Sequence, residues 1–551
     1  MYRRFFNKYA ISSSSHIRLY ASASHVPRKG STNISALLKP FHKRKRRKDI
    51  ADPTHPSRIL FLDIKQYLES CLSLYNKKIT SDDVENLEKM IKAFLPAQRK
   101  EKVLENIKVT GNTHDGDGLA LVPKLLYASE VEDSELLMGK FTVFIIPKTV
   151  IGDKVNIKIK LHHQYFAEGE LLKVVNSGTK ESRRNDKLIL CKHFHECNGC
   201  QFQMLSYEDQ LHYKQQLIAK AYKLFYPELA RDQGFGSVIG SPLQYAYRTK
   251  INPHCTLESN NKKCSTIGFQ HVNNQGKVDV EHCPIATIEI NDKLQQAREH
   301  YIGKEHLTQL TLRQSLRVDH STGEFYPTAL EGQKTVVTER IEDFVYQFEN
   351  SCFFQNNNSI LSMVLDYMRF HINLLDNKVV NIVDTYCGVG FFGIALSQLH
   401  DNVKVFGIEV SDSSIKYAQH NAKLNGLDPE KVKFILGDAS KIFSNKEFKD
   451  DNNRFKIKGD DSVVIIDPSR KGSDERFLRQ LLDFEPRMII YVSCNVFTQA
   501  RDLALFEKLQ LQLHQNKKLY NVEQVTGFDF FPQTKHVESI AVLKKKIIGY
   551  E

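Results

Sequence analysis

No stretch of this 551-residue chain reaches the roughly 18 apolar residues a helix needs to cross a bilayer, so no membrane partner is expected. Cysteine is scarce as well: ten residues are too few for a disulfide scaffold in so long a chain, which suits a reducing compartment with thiols kept for metals or catalysis. A third absence is local. Residues 1–48 contain no Asp or Glu, and their thirteen Lys and Arg exceed the whole net charge of +12. The rest of the chain is close to neutral, at −1, so any affinity it has for RNA must come from a local patch. With 41% apolar residues there is material for cores, and at this length two or three domains are expected.

Met1 to about Gly30 is Arg-bearing, Ser-rich from Ser12 to Ser15 and free of acids, which reads as a mitochondrial transit segment or a plain basic tail. The run His42-Lys43-Arg44-Lys45-Arg46-Arg47-Lys48 reads as a nuclear signal, an RNA-contacting arm or solvated charge. A mitochondrial location, a nuclear-cytoplasmic one, or both, is therefore expected. After the tail of residues 1–48, the segment 49–106 is helical: Ile59, Leu60, Leu62, Ile64, Tyr67 and Leu68, then Val84, Leu87, Ile91 and Leu95, recur at helical spacing and predict two amphipathic helices. Residues 107–175 change to short alternating runs broken by Gly116, Gly118 and Gly152-Asp153, predicting a small five-stranded β-barrel. Residues 176–345 are mostly β, with a helix near 289–303.

In that central region Cys191, Cys197 and Cys200 fall within ten residues, and the intervening Asn198-Gly199 tolerates left-handed backbone. Cys283 offers a fourth thiol. Four thiols without a paired histidine suit a [4Fe-4S] cluster or a structural zinc, and spacing does not decide between them. Cys255 and Cys264 are spare donors, and a coincidence with no metal is the third reading.

Residues 346–551 alternate strand and helix, as in a doubly wound α/β domain. The first strand ends in Asp384-Thr385-Tyr386-Cys387-Gly388-Val389-Gly390, a turn that lets a ligand approach backbone, and the second ends at Glu409, where a carboxylate can grip two ribose hydroxyls. Such a pair also suits a dinucleotide. However, the turn lacks a third glycine and basic residues for a pyrophosphate, and a nicotinamide enzyme has no use for Asp467-Pro468 or for a cysteine ending the strand IIYVSCN. S-adenosylmethionine is the expected ligand. A lone strand cysteine is ordinarily a small buried hydrophobe; beside these motifs Cys494 is read as a nucleophile. Glu538 follows Phe530-Phe531-Pro532, an aromatic setting that favours a raised pKa and a proton-accepting role.

The segments Ser351-Cys352-Phe353-Phe354-Gln355-Asn356-Asn357, Asp384 to Gly390, Asp467-Pro468-Ser469-Arg470-Lys471-Gly472, Val492-Ser493-Cys494-Asn495, and Phe531-Pro532 with His536-Val537-Glu538 resemble the RNA uridine-5-methyltransferase family. The likeness spans about residues 107–551 and is closest to eukaryotic members acting on the T-loop uridine of tRNA. Asp117-Gly118-Leu119-Ala120, Val143-Phe144-Ile145 and Val150-Ile151-Gly152-Asp153 resemble the TRAM domain, an OB-like RNA-binding module. The resemblance implies a Rossmann-like S-adenosylmethionine methyltransferase domain at 346–551, behind a TRAM barrel at 107–175 and a Cys-bearing domain at 176–345. It implies action on the tRNA T-loop, with Gln355, Tyr386, Glu409 and Asp467 as methyl-donor contacts, Cys494 as nucleophile and Glu538 as base; a monomer is expected, though the sequence does not fix the oligomeric state. The set Cys191, Cys197, Cys200 and Cys283 matches the family's iron-sulfur subset, which puts zinc second. Two positions depart from the family pattern: Ser469 stands for the second proline of Asp-Pro-Pro-Arg, and Asn198 for a glycine between Cys197 and Cys200. Ribosomal RNA as substrate, or an RNA-binding and tRNA-folding module with secondary catalysis, are the alternatives.

Overall fold

A computed structural model describes residues 52–74, 102–127, 141–162, 166–176, 182–232, 235–260, 262–272, 276–304, 309–375, 379–439, 441 and 457–546. The basic tail and the second predicted helix, with Val84, Leu87, Ile91 and Leu95, lie outside the described residues. The chain divides into two compact units, Met1–Asn185 and Asp186–Glu551.

In the first unit, helix α1 (Pro56–Leu74) precedes strands β1 (Val103–Lys108), β2 (Gly111–Asn112), β3 (Gly118–Pro123), β4 (Phe141–Ile146), β5 (Lys154–His162) and β6 (Ala167–Asn176). They form one sheet in the order β1-β5-β6-β4-β3-β2, antiparallel except where β4 meets β6. The strand beyond the predicted five is the two-residue β2. Period-two alternation explains how so short a segment feeds two cores. Val143 and Ile145 of β4 join Phe61, Ile64, Tyr67 and Leu68 of α1, while Phe144 and Ile146 turn to Val155, Ile157 and Ile159 of β5. The first predicted helix thus shares a core with the barrel.

The second unit opens with the cysteine-bearing loop and helix α2 (Tyr207–Phe225), capped where the Ser206 hydroxyl accepts a hydrogen bond from the Asp209 N–H at 3.1 Å. Strands β7 (Lys250–Ile251), β8 (His254–Leu257), β9 (Cys264–Gln270), β10 (Lys277–Asp279), β11 (Leu312–Val318), β12 (Phe325–Glu331), β13 (Val336–Ile341) and β14 (Phe344–Glu349) follow, with helix α3 (Ile288–Tyr301) between β10 and β11. They make the sheets β10-β9-β8 and β12-β11-β7 and the hairpin β13-β14.

The remainder is the doubly wound domain: α4 (Leu361–Asn373), β15 (Asn381–Thr385), α5 (Phe391–Leu396), β16 (Lys404–Glu409), α6 (Asp412–Leu424), β17 (Val432–Leu436), β18 (Ser462–Ile466), α7 (Glu475–Phe484), β19 (Met488–Ser493), α8 (Val496–Leu513), β20 (Tyr520–Phe528) and β21 (Glu538–Lys545). The sheet order is β17-β16-β15-β18-β19-β21-β20. β15 to β19 are parallel and covered on both faces, so β15, β18 and β19 are buried at every residue, as continuous apolar runs of parallel strands are. β21 runs antiparallel to both β19 and β20. The order reverses at β15, which opens a crevice at the carboxyl ends of the strands there.

Candidate active site

At the end of β15 the chain turns through backbone that favours glycine: Tyr386, Gly388 and Gly390 have φ of 63°, 54° and 89°. A side chain built on Gly388 would meet nothing, so the turn faces open space. Glu409, at the end of β16, closes the turn, its Oε2 accepting from the Gly388 N–H at 3.1 Å and its Oε1 from the Ser411 N–H at 2.8 Å. Asp384 lies fully buried beneath, with Oδ2 accepting from the Gly393 N–H at 2.9 Å and Oδ1 buried without a partner. Burial pushes its carboxyl up to about 8, aided by Asp467 and Glu409. An open glycine turn, a strand-end carboxylate and an orphaned buried oxygen fit an adenosyl ligand carrying ribose hydroxyls and a cationic sulfur.

Asp467 directly follows β18, where burial pushes its carboxyl up to about 7. Cys494 directly follows β19, in the strand-to-helix turn before Asn495, whose side chain caps α8 by accepting from the Phe497 N–H at 3.1 Å. Glu538 opens β21 and is 7% exposed. Ser493 pairs with Ser539 across the antiparallel ladder, so the next residue outward on β19, Cys494, comes opposite Glu538. Forty-four positions of sequence collapse into one strand-end pair.

Cys494, Glu538, Arg470, Gln355 and Phe531 line one cavity of about 450 Å³, large enough for a base. Tyr386, Glu409 and Asp467 are not among its lining residues; Asp467 reaches it through its charge. Burial pushes the Cys494 thiol up to about 12, with Glu538 and Asp467 adding to the rise and Arg470 opposing it by charge and hydrogen bond. Glu538 is pushed up to about 8, by burial first and Asp467 second, again opposed by Arg470. Sequence reasoning placed both carboxylates but gave Arg470 no part. Its signal was position alone, in the motif that follows Asp467-Pro468. Arg248, whose guanidinium lies 5.9 Å from the Phe531 ring centre, carried no sequence signal. The two phenylalanines of the Phe530-Phe531-Pro532 run part here: Phe530 is 2% exposed and packs inside, while Phe531 faces the cavity.

The loop bearing Arg470 is held from below. Asp502, buried in α8, accepts from the Ser473 N–H and the Tyr491 hydroxyl, each at 2.7 Å, and Arg501 donates to the Lys471 carbonyl at 2.7 Å. Gly472 has φ 76°, and a Cβ there would overlap the Asp502 carboxylate. Gly472→Ala is therefore expected to destabilise the protein by about 2 kcal/mol, through left-handed strain and a displaced buried acceptor. It should also slow turnover roughly tenfold by shifting Arg470, an energy of about 1.4 kcal/mol. Urea unfolding and initial rates check both, and an unchanged rate would separate this loop from the chemistry.

Cys191, Cys197, Cys200 and Cys283 line the same cavity from its other side. Burial pushes the Cys283 thiol up to about 12, with Cys200 and Cys197 contributing. Among the described residues, no group of three or more His, Cys, Asp or Glu side chains is arranged around a single metal ion. As placed, the four thiols match neither a zinc, which needs its donors about 2.3 Å from one centre, nor an iron-sulfur cluster held by the same thiolates. Four thiols lining one space are a donor chemistry that either group could use.

A family model described as tRNA (uracil-5-)-methyltransferase matches residues 324–546, and one described as the TRAM domain matches residues 102–172. The tRNA (uracil(54)-C(5))-methyltransferase of Saccharomyces cerevisiae is 33% identical, the match covering 91% of this chain and 83% of the yeast protein. The protein of the same description from Schizosaccharomyces pombe is 35% identical, with 84% and 82% covered. Among solved structures, the Pyrococcus abyssi tRNA (uracil-54, C5)-methyltransferase in complex with S-adenosyl-L-homocysteine shares the fold, with a TM-score of 0.54 and 20% identity over 80% of this chain and 100% of that one.

Proposed function

Because this chain belongs to the tRNA (uracil-5-)-methyltransferase family, we propose that it transfers a methyl group from S-adenosylmethionine to carbon 5 of uridine 54 in the T-loop of tRNA. The observation that carries the site assignment is the β19–β21 register, which sets Cys494 beside Glu538 in a base-sized cavity. The glycine turn at Gly388 and Gly390 with Tyr386, Glu409, Gln355 and Asp467 is the donor site. Bound there, S-adenosylmethionine supplies an electrophilic methyl on a sulfonium.

Carbon 5 of uracil is too weak a nucleophile to take that methyl unaided. The thiolate of Cys494 adds to carbon 6, forming a C–S bond and sending an electron pair to the enolate across carbons 4 and 5. Arg470 supports the thiolate against the burial and the two carboxylates that oppose it. Once carbon 5 has gained the methyl, it still holds its proton. Glu538 takes that proton, the 5,6 double bond re-forms, the C–S bond breaks and its electron pair returns to Cys494. The base reaches this site only by leaving its stack, at a cost of a few kcal/mol.

Purified protein and labelled donor are expected to methylate a tRNA transcript and fail on the same transcript with cytidine at position 54. Methylation of ribosomal RNA fragments but not of tRNA would overturn the substrate assignment.

The set Cys191, Cys197, Cys200 and Cys283 holds a [4Fe-4S] cluster, supported by its all-thiol character; no step above runs through it. Iron and sulfide analysis with a visible spectrum of anaerobically purified protein tests this, zinc at one equivalent being the opposing result. The protein acts as a monomer, and residues 1–48 direct it to mitochondria, the nucleus or both. Imaging of full-length and residue-30-truncated forms tests the targeting.

A further inference from the structure

The connection from β20 to β21 carries Phe531 and is held in an unusual way. Four successive carbonyls each accept a hydrogen bond from a different part of the chain. Phe530 O accepts from Asn357 Nδ2 at 3.0 Å, Phe531 O from Lys214 Nζ at 3.0 Å, and Pro532 O from the Tyr247 hydroxyl at 2.9 Å. Gln533 O accepts from the N–H groups of Gln201 and Phe202 at 2.9 and 3.0 Å. Gln533 itself has φ 69°, a left-handed conformation in a residue that is 2% exposed, so the clamp overrides a local backbone preference. Lys214 is paired with Asp529 at 2.5 Å, and both side chains are fully buried. An ion pair of that kind adds little stability over an apolar pair of similar volume. What this one does add is a charged donor aimed at the carbonyl of the residue whose ring faces the cavity.

We propose that Phe531 is the face on which the target uracil stacks beside Cys494, and that Lys214, with Tyr247, is the positioning residue that holds that ring in place. The inference rests on the reading of the cavity as the uracil site. It goes beyond that reading in naming the wall and its support. The ring has the setting such a role needs: it lines the cavity with Cys494, Arg470 and Glu538, with Arg248 over it and the His536 ring at 6.0 Å edge-on. Its neighbour Phe530 is packed inside and has no access. A stack on a fixed ring offsets part of the loss of base stacking in the tRNA, so it acts on the fraction of bases that are extruded, not on overall tRNA binding.

The test is single-turnover formation of the covalent adduct on tRNA containing 5-fluorouridine at the target, where fluorine replaces the proton that Glu538 removes and the C–S bond persists. Phe531→Leu is expected to slow adduct formation at saturating tRNA by 10- to 100-fold, with Phe531→Tyr within threefold of the parent. Removing both charges together, in the double variant Lys214→Met with Asp529→Asn, avoids an unpaired buried ion; it should slow the same step at least tenfold. Tyr247→Phe, a near-isosteric change, should slow it about threefold. In all of them the dissociation constants for S-adenosylmethionine and for whole tRNA should stay within threefold of the parent, which a general loosening of the fold would not allow. Undiminished adduct formation in Phe531→Leu, or parallel loss of donor affinity in the clamp variants, would overturn the proposal. Adduct formation by a Cys494→Ala reference would instead show that the cavity reading itself is wrong.

Discussion

Cys494→Ala is expected to bring methylation down to background and to abolish the covalent complex with 5-fluorouridine tRNA, while leaving donor binding within a few-fold of the parent. The reason is chemical. Without addition at carbon 6 there is no enolate, and the other thiols that line the cavity, Cys191, Cys197, Cys200 and Cys283, form the separate four-cysteine set and do not stand at the strand end opposite Glu538. The thiol is half-buried at a strand end, and its removal takes away few packing contacts, so stability should change by less than about 1 kcal/mol. Calorimetry with S-adenosylmethionine and denaturing gels of the RNA complex measure the two halves. A stable adduct in the alanine variant would end the assignment of Cys494.

Glu538→Gln carries the second large effect and tests the opposite end of the reaction. Turnover should fall by about 10²–10⁴-fold, the range for loss of a positioned acid or base. Addition and methyl transfer come before its step, so the variant should accumulate more adduct on ordinary uridine than the parent. Two pH effects follow from the position of Glu538, pushed up to about 8 by burial and by Asp467. An unfolded glutamate ionises near 4.5. Below that pH both states hold the proton and the residue costs nothing. Between about 4.5 and 8 the folded state alone keeps its proton, so stability falls as pH rises, and above about 8 the full cost of the buried carboxylate is present. The gap corresponds to at most ~5 kcal/mol. Glu538→Gln should therefore unfold at higher denaturant than the parent at pH 9 and at the same concentration at pH 4; equal midpoints at pH 9 would contradict the burial argument. The same substitution removes a negative neighbour from Cys494, so iodoacetamide should alkylate the thiol faster than in the parent above about pH 8, where the parent's Glu538 is ionised.

Burial acts on the whole site and not on Glu538 alone. It pushes Cys494 up to about 12 and raises Asp384, Asp467 and Glu538 toward neutrality or just above it, so the site disfavours the charged form of each group. A sulfonium placed among them favours the charged forms of all four by simple Coulomb attraction.

Much of this was legible in the residues because it is local. The glycine turn at Gly388 and Gly390, the acid at Glu409, and the Asp467-Pro468 and Cys494 that end successive strands are short-range signals, since each strand of a doubly wound sheet delivers its last residue to the same edge. The short β-like run through Val143 to Ile146 likewise announced a strand, and the structure showed that both of its faces are buried. What could not be read was long-range. That Cys494 meets Glu538 depends on β21 entering the sheet antiparallel to β19 at one register, and a slip of one residue would turn Glu538 to the other face. That Phe531 faces the cavity and Phe530 the core is decided by donors as far away in sequence as Gln201, Lys214 and Tyr247. Arg470 stands at the site because Asp502 and Arg501, beyond α7 and β19 on α8, fix its loop. The sequence by itself determined the strands, their terminal chemistry and the donor turn; only the tertiary structure decided which ends share a cavity, because strand register and the pairing of buried polar groups are settled between segments and not within them.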